Sequence, residues 1–360
     1  MKKIIACLLV LTLAIGMAAC GAPATPSESA QPSEPAAPSE SAQPSESAAP
    51  SESAEASASA GGGEKLAVPD AKGMKVGVLY CSLAAPAVKV FAQGIQEVMQ
   101  ESGAEIVELD SEFDAQKQTD QMNSLISQKV DAIVLNPVDG KSIIPAVKKA
   151  HEEGIPVVMG AMDIDESGRE YVVSFVGADD TDVGRAAGKI MIDALGEAGG
   201  KVAIVEGSSG TSSQLQRTAG FEEAVAGSNI EIVAKLPADF DKAKAMTIAE
   251  DLFTKYQDLK GIWVHDDTMA VGVVQAMKSQ GLTGDDVKIV SYNGSKAGAD
   301  MIKSGEIIAT AVQPLVEEGR NSMIVAINAA KGEQVEAWYK DVIVPLDKSN
   351  IDDYDPALLW

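Results

Sequence analysis

Residues 75–110 read KVGVLYCSLAAPAVKVFAQGIQEVMQESGAEIVELD, and this stretch contains a complete strand–helix–strand unit. Residues 75–80 are a short apolar run that predicts a buried strand, and residues 105–110 predict a second one. Between them, residues 86–103 predict a helix, because apolar side chains recur there with the helical period. The residues that carry this period are Val90, Phe91, Ile95, Val98 and Met99. Two such strands joined by a helix predict a parallel sheet covered on both faces.

The same alternation of strand and helix continues to residue 331. Further strands are predicted at residues 132–136, 155–161, 172–176, 201–206, 230–236, 261–265, 288–292 and 308–312. Further helices are predicted at residues 116–128, 142–153, 182–195, 212–226, 242–256, 268–280, 296–304 and 314–331. Two series of similar size predict an α/β protein with two doubly wound, parallel-sheet lobes. Ligands of such sheets bind beyond the carboxyl ends of the strands, so the residues that follow each strand are the candidate site.

The first 20 residues have the pattern of a secretory signal peptide. Two lysines precede an apolar stretch at residues 4–17, and two alanines stand directly before Cys20. This order resembles a bacterial lipobox, in which Cys20 would receive the lipid and become the mature N-terminus. The alternative is an ordinary cleaved signal in which Cys20 is incidental.

Residues 21–63 are of low complexity and predict a disordered linker. The triplet Pro-Ser-Glu recurs there with a period of six, and hardly any side chain is both apolar and larger than alanine. Such a segment cannot bury enough surface to offset its chain entropy. It therefore predicts a spacer between a membrane and a folded domain, or alternatively a segment with no role beyond solubility.

The composition excludes several classes of function. The chain has 53 acidic and 29 basic residues and a formal net charge of −24, which argues against nucleic acid as a partner. Two of the three cysteines lie in the first 20 residues, and the two histidines are far apart. This argues against a disulfide framework, a metal centre and a Ser-His-Asp triad. No phosphate-binding glycine motif follows a strand. The chain is therefore predicted to be no enzyme and to use no metal or cofactor.

Six short segments carry a resemblance to a known family. They are residues 134–139 (VLNPVD), 154–157 (GIPV), 210–212 (GTS) followed by Arg217 and by Gly220 and Phe221, 237–241 (PADFD), 266–272 (DDTMAVG) and 309–313 (ATAVQ). Each segment alone is weak evidence for the family, but the set of six in this order and at these spacings is strong evidence. Residues 74–351 thereby resemble the periplasmic sugar-binding proteins of the ribose-binding type, which are the solute receptors of ABC importers.

The resemblance implies a type I periplasmic binding protein, in which each lobe takes chain from two places. The amino lobe would hold residues 64–178 and 314–341, and the carboxyl lobe residues 179–313 and 342–360. Three crossovers, near Gly177, Gln313 and Asp341, would form a hinge, and a ligand bound between the lobes would favour closure.

The resemblance also implies a ligand site. Its residues would be Asn136, Arg217, Phe240, Asp266, Asn293 and Gln313, with Asp163 added if its loop is two residues longer than usual. Ser82 joins them as a candidate because it follows the first strand. The guanidinium of Arg217 would form charge-assisted bonds to hydroxyls, and the ring of Phe240 would cover the apolar face of a sugar.

Each of these residues also has a structural interpretation. Arg217 would be a helix-surface ion pair, Phe240 part of the core, Asn136 a turn residue, and Gln313 a partner of hinge backbone groups. Of the two adjacent carboxylates, Asp267 is predicted as the helix cap and Asp266 as the ligand.

The amino-lobe half of the family's site is altered in this chain. Ala85 stands where the family has a ligand asparagine, and Ala87 and Val88 replace a phenylalanine pair. Ala161 and Met162 stand in place of an Asp-Arg pair. These changes argue against ribose and favour a bulkier or more apolar ligand, or another aromatic residue such as Tyr80 in the same space.

The function implied is that of a monomeric, lipid-anchored receptor on the extracellular face of the cell membrane. It would be held there through Cys20 and would deliver a sugar or sugar-like ligand to an ABC permease. Two alternatives stay open at this point. One is a sensory receptor that presents its closed form to a membrane kinase or chemoreceptor. The other is a secreted hydrolase, for which the sequence offers no activated nucleophile.

Overall fold

A computed structural model describes residues 66–354 and Trp360 of this chain. The predicted signal peptide, the lipidation site Cys20 and the linker at residues 21–63 lie outside the described residues. Among the described residues, no helix combines the length and the apolar character needed to cross a bilayer.

The strands and helices follow one another almost as predicted. The strands are β1 (Lys75–Tyr80), β2 (Glu105–Asp110), β3 (Ala132–Leu135), β4 (Val157–Gly160), β5 (Ser174–Gly177), β6 (Gly200–Glu206), β7 (Ile230–Pro237), β8 (Leu259–Val264), β9 (Lys288–Val290), β10 (Ala309–Val312), β11 (Trp338–Lys340) and β12 (Val344–Asp347). The helices are α1 (Pro86–Ser102), α2 (Ala115–Ser127), α3 (Ile144–Glu152), α4 (Asp180–Leu195), α5 (Ser212–Val225), α6 (Lys242–Lys255), α7 (Asp267–Ser279), α8 (Lys296–Lys303) and α9 (Leu315–Ala330). The predicted ends differ by a few residues, as is usual at fraying termini.

The strands form two sheets. The strand order is β2-β1-β3-β4-β5-β11 in the first sheet and β7-β6-β8-β9-β10-β12 in the second. All neighbouring strands are parallel except β12, which runs antiparallel to β10. In each sheet the order reverses beside the first strand, and this reversal opens a crevice at the carboxyl ends of the strands. The prediction of two doubly wound α/β lobes is confirmed.

The chain crosses between the two sheets three times. It leaves the first sheet after β5, returns to it for β11, and ends in the second sheet with β12. Strands β11 and β12 were not expected from the sequence. They are edge strands of three and four residues with mostly exposed or half-buried side chains, so they lack the apolar run that marks a buried strand.

Helix α9 follows the first five strands of the second sheet, returns to the first sheet and packs against α1. Glycines allow the two helices to approach closely. A Cβ at Gly94 would lie 1.9 Å from the carbonyl oxygen of Val316, and one at Gly319 would lie 2.0 Å from that of Phe91. Helix α9, the last helix of the described chain, thus packs closely against α1, the first.

Candidate functional site

A cavity lies at the carboxyl ends of the strands of both sheets. Its volume is about 50 Å³, which is several times what one water molecule needs. Six of the residues predicted from the resemblance line it: Asn136, Arg217, Phe240, Asp266, Asn293 and Gln313. The rest of the lining is Cys81, Ala85, Ala87, Val88, Phe91, Phe113, Ala161, Met162, Ser213 and Leu315. The strand-end rule therefore brings together most of the candidate site.

Ser82 and Asp163 are not among the lining residues of this cavity. The hydroxyl of Ser82 is buried and accepts a hydrogen bond from the backbone N–H of Ala84 at 3.2 Å, so it shapes the turn after β1. The carboxylate of Asp163 accepts from Nη1 of Arg169 at 2.6 Å and from the N–H of Ile164 at 2.8 Å. Burial raises the pKa of Asp163 to about 6, although Arg169 opposes the rise. Both side chains therefore form hydrogen bonds to neighbouring groups of the protein.

Arg217 is buried at the centre of the polar side of the cavity. Its Nε donates to Oδ1 of Asp180 at 2.7 Å, and its Nη1 donates to the carbonyl oxygen of His265 at 2.7 Å. The guanidinium lies 4.5 Å from the centroid of the Tyr292 ring. The ion pair is not on the surface of the helix, because Arg217 is only 4% exposed. A guanidinium has five N–H donors, and within residues 66–354 only these two bonds use them.

Of the two adjacent carboxylates, Asp266 and not Asp267 is the cap of α7, so the predicted cap is wrong, while Asp266 lines the cavity. Oδ1 of Asp266 accepts from the N–H of Met269 at 2.7 Å, so Asp266 is the cap of α7 as well as a lining residue. Asp267 is buried away from the cavity, where it accepts from the N–H of Ser295 at 2.7 Å and from the hydroxyl of Thr310 at 2.8 Å. The cap falls one residue earlier because α7 begins at Asp267.

Asp266 is poised to titrate near neutral pH. Burial raises its pKa to about 7, and the neighbouring carboxylate of Asp267 adds to the rise. The N–H of Met269 and the charge of Arg217 oppose it. At neutral pH this carboxyl group is therefore divided between a neutral form and a charged form.

Asn293 and Gln313 join the second sheet to α9. Nδ2 of Asn293 donates to Oε1 of Gln313 at 2.5 Å, and Nε2 of Gln313 donates to both carboxyl oxygens of Glu318 at 3.1 Å. The amide of Gln313 thus bonds to side chains and not to hinge backbone groups. Oδ1 of Asn293 is buried and has no partner among the described residues. It leaves an unused acceptor on a residue that lines the cavity.

A buried carboxyl group lies behind Gln313. Burial is the main reason that the pKa of Glu318 is raised well above its ordinary value, and the neighbouring carboxyl of Asp341 raises it further. Burial also raises the pKa of Asp341. Two adjacent carboxyl groups that are buried away from water cannot both be ionised without a large cost in free energy. Glu318 therefore holds a proton and hydrogen-bonds to Asp341.

Asn136 ties three strand ends together on the other side of the cavity. Its Oδ1 accepts from the N–H of Cys81 at 3.3 Å, and its Nδ2 donates to the carbonyl oxygen of Gly160 at 3.0 Å. These bonds join the ends of β1, β3 and β4. The thiol of Cys81 also lines the cavity, and burial raises its pKa to about 12, so it is protonated at neutral pH.

Phe240 reaches the cavity from the loop after β7. Asp239 and Phe240 both have a φ of 54°, in the left-handed region, and the ring then lies against the backbone of Gly207. A Cβ at Gly207 would be 2.2 Å from Cζ of Phe240. Glycine at this position therefore leaves room for the ring.

The aromatic residues on the first-sheet side of the cavity come from positions that the resemblance did not indicate. Phe91 lies one turn further along α1 than the replaced pair, and Phe113 lies in the loop after β2. Tyr80 is not among the lining residues, and its hydroxyl donates to Oε1 of Glu108, in the neighbouring strand β2, at 2.6 Å. Phe113 lies three residues after the end of β2, so the rule that ligands bind beyond the ends of strands also covers this position.

The comparisons with known proteins agree with this geometry. The family described as the periplasmic binding protein domain matches residues 76–334. The ribose import binding protein of Bacillus subtilis is 31% identical over 76% of this chain and 87% of its own length. An ABC transporter solute-binding protein from Mycobacterium smegmatis, solved with bound glycerol, is 32% identical, with a TM-score of 0.73 and coverage of 78% of this chain and 96% of that one.

A further solved structure is an ABC transporter solute-binding protein from Agrobacterium vitis with bound D-fucose. It is 26% identical, with a TM-score of 0.75, and covers 79% of this chain and 100% of that one. These relatives are named as an import binding protein and as solute-binding proteins of ABC transporters. From the family match, the relatives and the two-sheet fold together, this chain belongs to the periplasmic sugar-binding proteins of the ribose-binding type.

Proposed function

We propose that this chain captures a sugar or sugar-like ligand in the cavity between its lobes and delivers it to an ABC permease. The observation that carries the proposal is a set of buried polar groups whose hydrogen-bonding capacity is not fully used by the described residues 66–354 and 360. The remaining N–H groups of Arg217 can donate, and Oδ1 of Asn293 can accept. Asp266 adds a carboxyl group to the same lining. Adjacent donors and acceptors of this kind match the hydroxyls of a sugar.

The proposal includes a hinge. The amino lobe would comprise residues 64–178 and 314–341, and the carboxyl lobe residues 179–313 and 342–360. Ligand bound to groups of both lobes would favour the closed form, since it would gain contacts there that the open form lacks. The proposal also includes an anchor at Cys20 with residues 21–63 as a disordered spacer.

Import is preferred here to sensing. The relative from Bacillus subtilis is named as an import protein, and both solved relatives are named as solute-binding proteins of ABC transporters. These names support delivery to a permease as the role of this chain.

A thermal-shift screen of the purified protein tests the capture of a sugar. The panel should contain pentoses, hexoses, deoxyhexoses, polyols and nucleosides. A ligand present at 100 times its Kd is expected to stabilise the fold by about 2.7 kcal/mol. If no sugar or polyol raises the melting temperature, and calorimetry detects no binding at millimolar concentration, the proposed function is wrong.

The anchor is tested by changing Cys20→Ser in the producing cell. The variant is expected to leave the membrane fraction and appear in the medium, because its N-terminus can no longer receive a lipid. Cys81→Ser is the matched control, since this buried thiol is the other cysteine of the mature chain. If the Cys20→Ser variant stays in the membrane fraction at the wild-type level, the anchor is contradicted.

A further inference from the structure

The two sides of the cavity differ in chemistry. The side formed by the first sheet and its helices presents Ala85, Ala87, Val88, Phe113, Met162 and Leu315. All of these offer carbon or thioether surface to a ligand. The side formed by the second sheet presents Arg217, Asp266 and Asn293, with Phe240 beside them.

The first side offers few polar groups, and both polar atoms of its one amide, that of Asn136, already bond to the protein. The amide of Asn136 bonds to the N–H of Cys81 and to the carbonyl oxygen of Gly160. Cys81 itself carries only a weak thiol donor. A ligand hydroxyl placed against this side would leave water without a full replacement for its hydrogen bonds, which is unfavourable.

The groups on the second side are not fully occupied. Arg217 uses two of its N–H groups within the described residues, for Asp180 and for His265. Oδ1 of Asn293 is buried without a partner in the same part of the chain. A ligand without hydroxyls facing this side would leave these groups unsatisfied, which is also unfavourable.

We infer that the ligand is a deoxy sugar, whose hydroxyls face Arg217, Asp266 and Asn293 and whose methyl or deoxy carbon faces Ala85, Ala87 and Val88. This inference rests on the proposed function and narrows it to one substrate class. The small side chains at positions 85 and 87 leave space for a methyl group, and the rings of Phe91 and Phe113 give that space an apolar surface. A fully hydroxylated sugar would have to bury a hydroxyl there.

Calorimetry with matched pairs of sugars tests the inference on the purified full-length mature chain. The pairs are D-galactose with D-fucose, L-mannose with L-rhamnose, and D-ribose with 5-deoxy-D-ribose, in which the second member only lacks a hydroxyl. At least one deoxy sugar is expected to bind tenfold or more tightly than its parent. If every parent that binds is equal to or tighter than its deoxy partner, or if only fully hydroxylated polyols bind, the inference is wrong and the capture of sugars stands. If no sugar or polyol binds at all, the proposed function fails with it.

A pair of variants shows whether the apolar side causes the preference. Val88→Thr adds a hydroxyl to the cavity with little change of shape, and it should reduce the ratio of deoxy to parent affinity at least threefold. Val90→Thr makes the same change on the same helix at a half-buried position outside the lining, and it should leave the ratio unchanged. An equal ratio in both variants and the wild type would show that this side does not select the ligand, which would overturn the assignment.

Discussion

The guanidinium of Arg217 and the carboxylate of Asp180 form an ion pair in which both side chains are almost completely buried. Nε of Arg217 lies 2.7 Å from Oδ1 of Asp180, and the exposed fractions of the two side chains are 4% and 5%. The pair joins α5 to the first turn of α4. It holds the guanidinium at the cavity while its other N–H groups stay available.

This pair changes what is expected of Arg217→Ala. A role in bonding ligand hydroxyls alone would make Arg217→Ala weaken ligand binding without unfolding, but in the structure Asp180 would also be left buried without its partner. Removing one member of a buried pair typically costs about 3–5 kcal/mol of stability. We expect a loss of that size in urea unfolding of Arg217→Ala.

The double variant Arg217→Ala with Asp180→Asn is the control for that measurement. Its neutral amide is less costly to bury than an unpaired carboxylate, so it should regain part of the lost stability. A double variant no more stable than Arg217→Ala would show that lost packing, and not the unpaired charge, causes the effect.

Gly207→Ala should lower ligand affinity by moving the ring of Phe240. The added methyl group would lie 2.2 Å from Cζ of the ring, so the ring has to leave its position over the cavity. We expect at least a tenfold loss in calorimetric affinity, with a loss of stability of about 1–3 kcal/mol from overpacking. In a Phe240→Ala background the same change should have little further effect on affinity. Additive losses in the double variant would mean that Gly207 acts on the ligand by another route.

Glu318→Gln should make the fold less sensitive to rising pH. The pKa of Glu318 is raised in the folded state, so the folded chain holds a proton that the unfolded chain releases above its ordinary pKa. Its contribution to stability is complete below that ordinary pKa and is lost as pH rises through the raised one. The neutral glutamine can accept from Gln313 and donate to Asp341 at every pH.

We therefore expect Glu318→Gln to be more stable than the wild type at pH 8, by about 1 kcal/mol or more, and less so at pH 5. The measurement is urea unfolding from pH 5 to pH 8. Glu333→Gln, at an exposed position, should follow the wild-type curve. A parallel curve for Glu318→Gln would show that Glu318 is not the proton carrier in this pair.

Asp266→Asn should remove a pH dependence of ligand binding. The pKa of Asp266 is about 7 in the folded protein, and a charged carboxylate accepts a hydroxyl hydrogen bond more strongly than a neutral acid does. Affinity in the wild type should therefore rise by several fold as pH rises from 6 to 8. Asparagine keeps the acceptor that caps α7, but it does not titrate.

Calorimetry of both proteins across this pH range checks the prediction, with the tightest sugar of the screen as ligand. The affinity of Asp266→Asn should be the same at pH 6 and pH 8. A wild-type affinity that falls as pH rises would mean that the neutral acid donates to the ligand, and would contradict the role given to the carboxylate.

The two lobes could be predicted from local patterns, and the six predicted lining residues came from the family resemblance, which the strand-end rule supports for some of them. A strand such as β1 is a continuous apolar run, and residues such as Asn136 and Gln313 directly follow strands, where parallel sheets bind ligands. Predicting the fold therefore required only the periodicity of apolar residues and the order of strands and helices along the chain.

The rest depended on contacts between distant parts of the chain. Arg217 and Asp180 are 37 residues apart, and no local pattern pairs them. The ring of Phe113 enters the cavity because two successive residues, Glu112 and Phe113, take the left-handed conformation. Neither residue is a glycine, so the sequence does not indicate this conformation. The cap of α7 was assigned one residue too late because two adjacent aspartates fit the same signal.

The close fit between α9 and α1 has a consequence for the order of folding. The first sheet takes its edge strand β11 and its covering helix α9 from chain made after the first five strands of the second sheet. Residues 200–312 already contain the first five strands of the second sheet and the helices between them, so that half can begin to pack during synthesis. The face of the first sheet's elements that meets α9 stays uncovered until about residue 340 has been made. Although the first sheet is made first, it gains its covering helix α9 only after five strands of the second sheet have been made, and its uncovered face needs protection from aggregation until then.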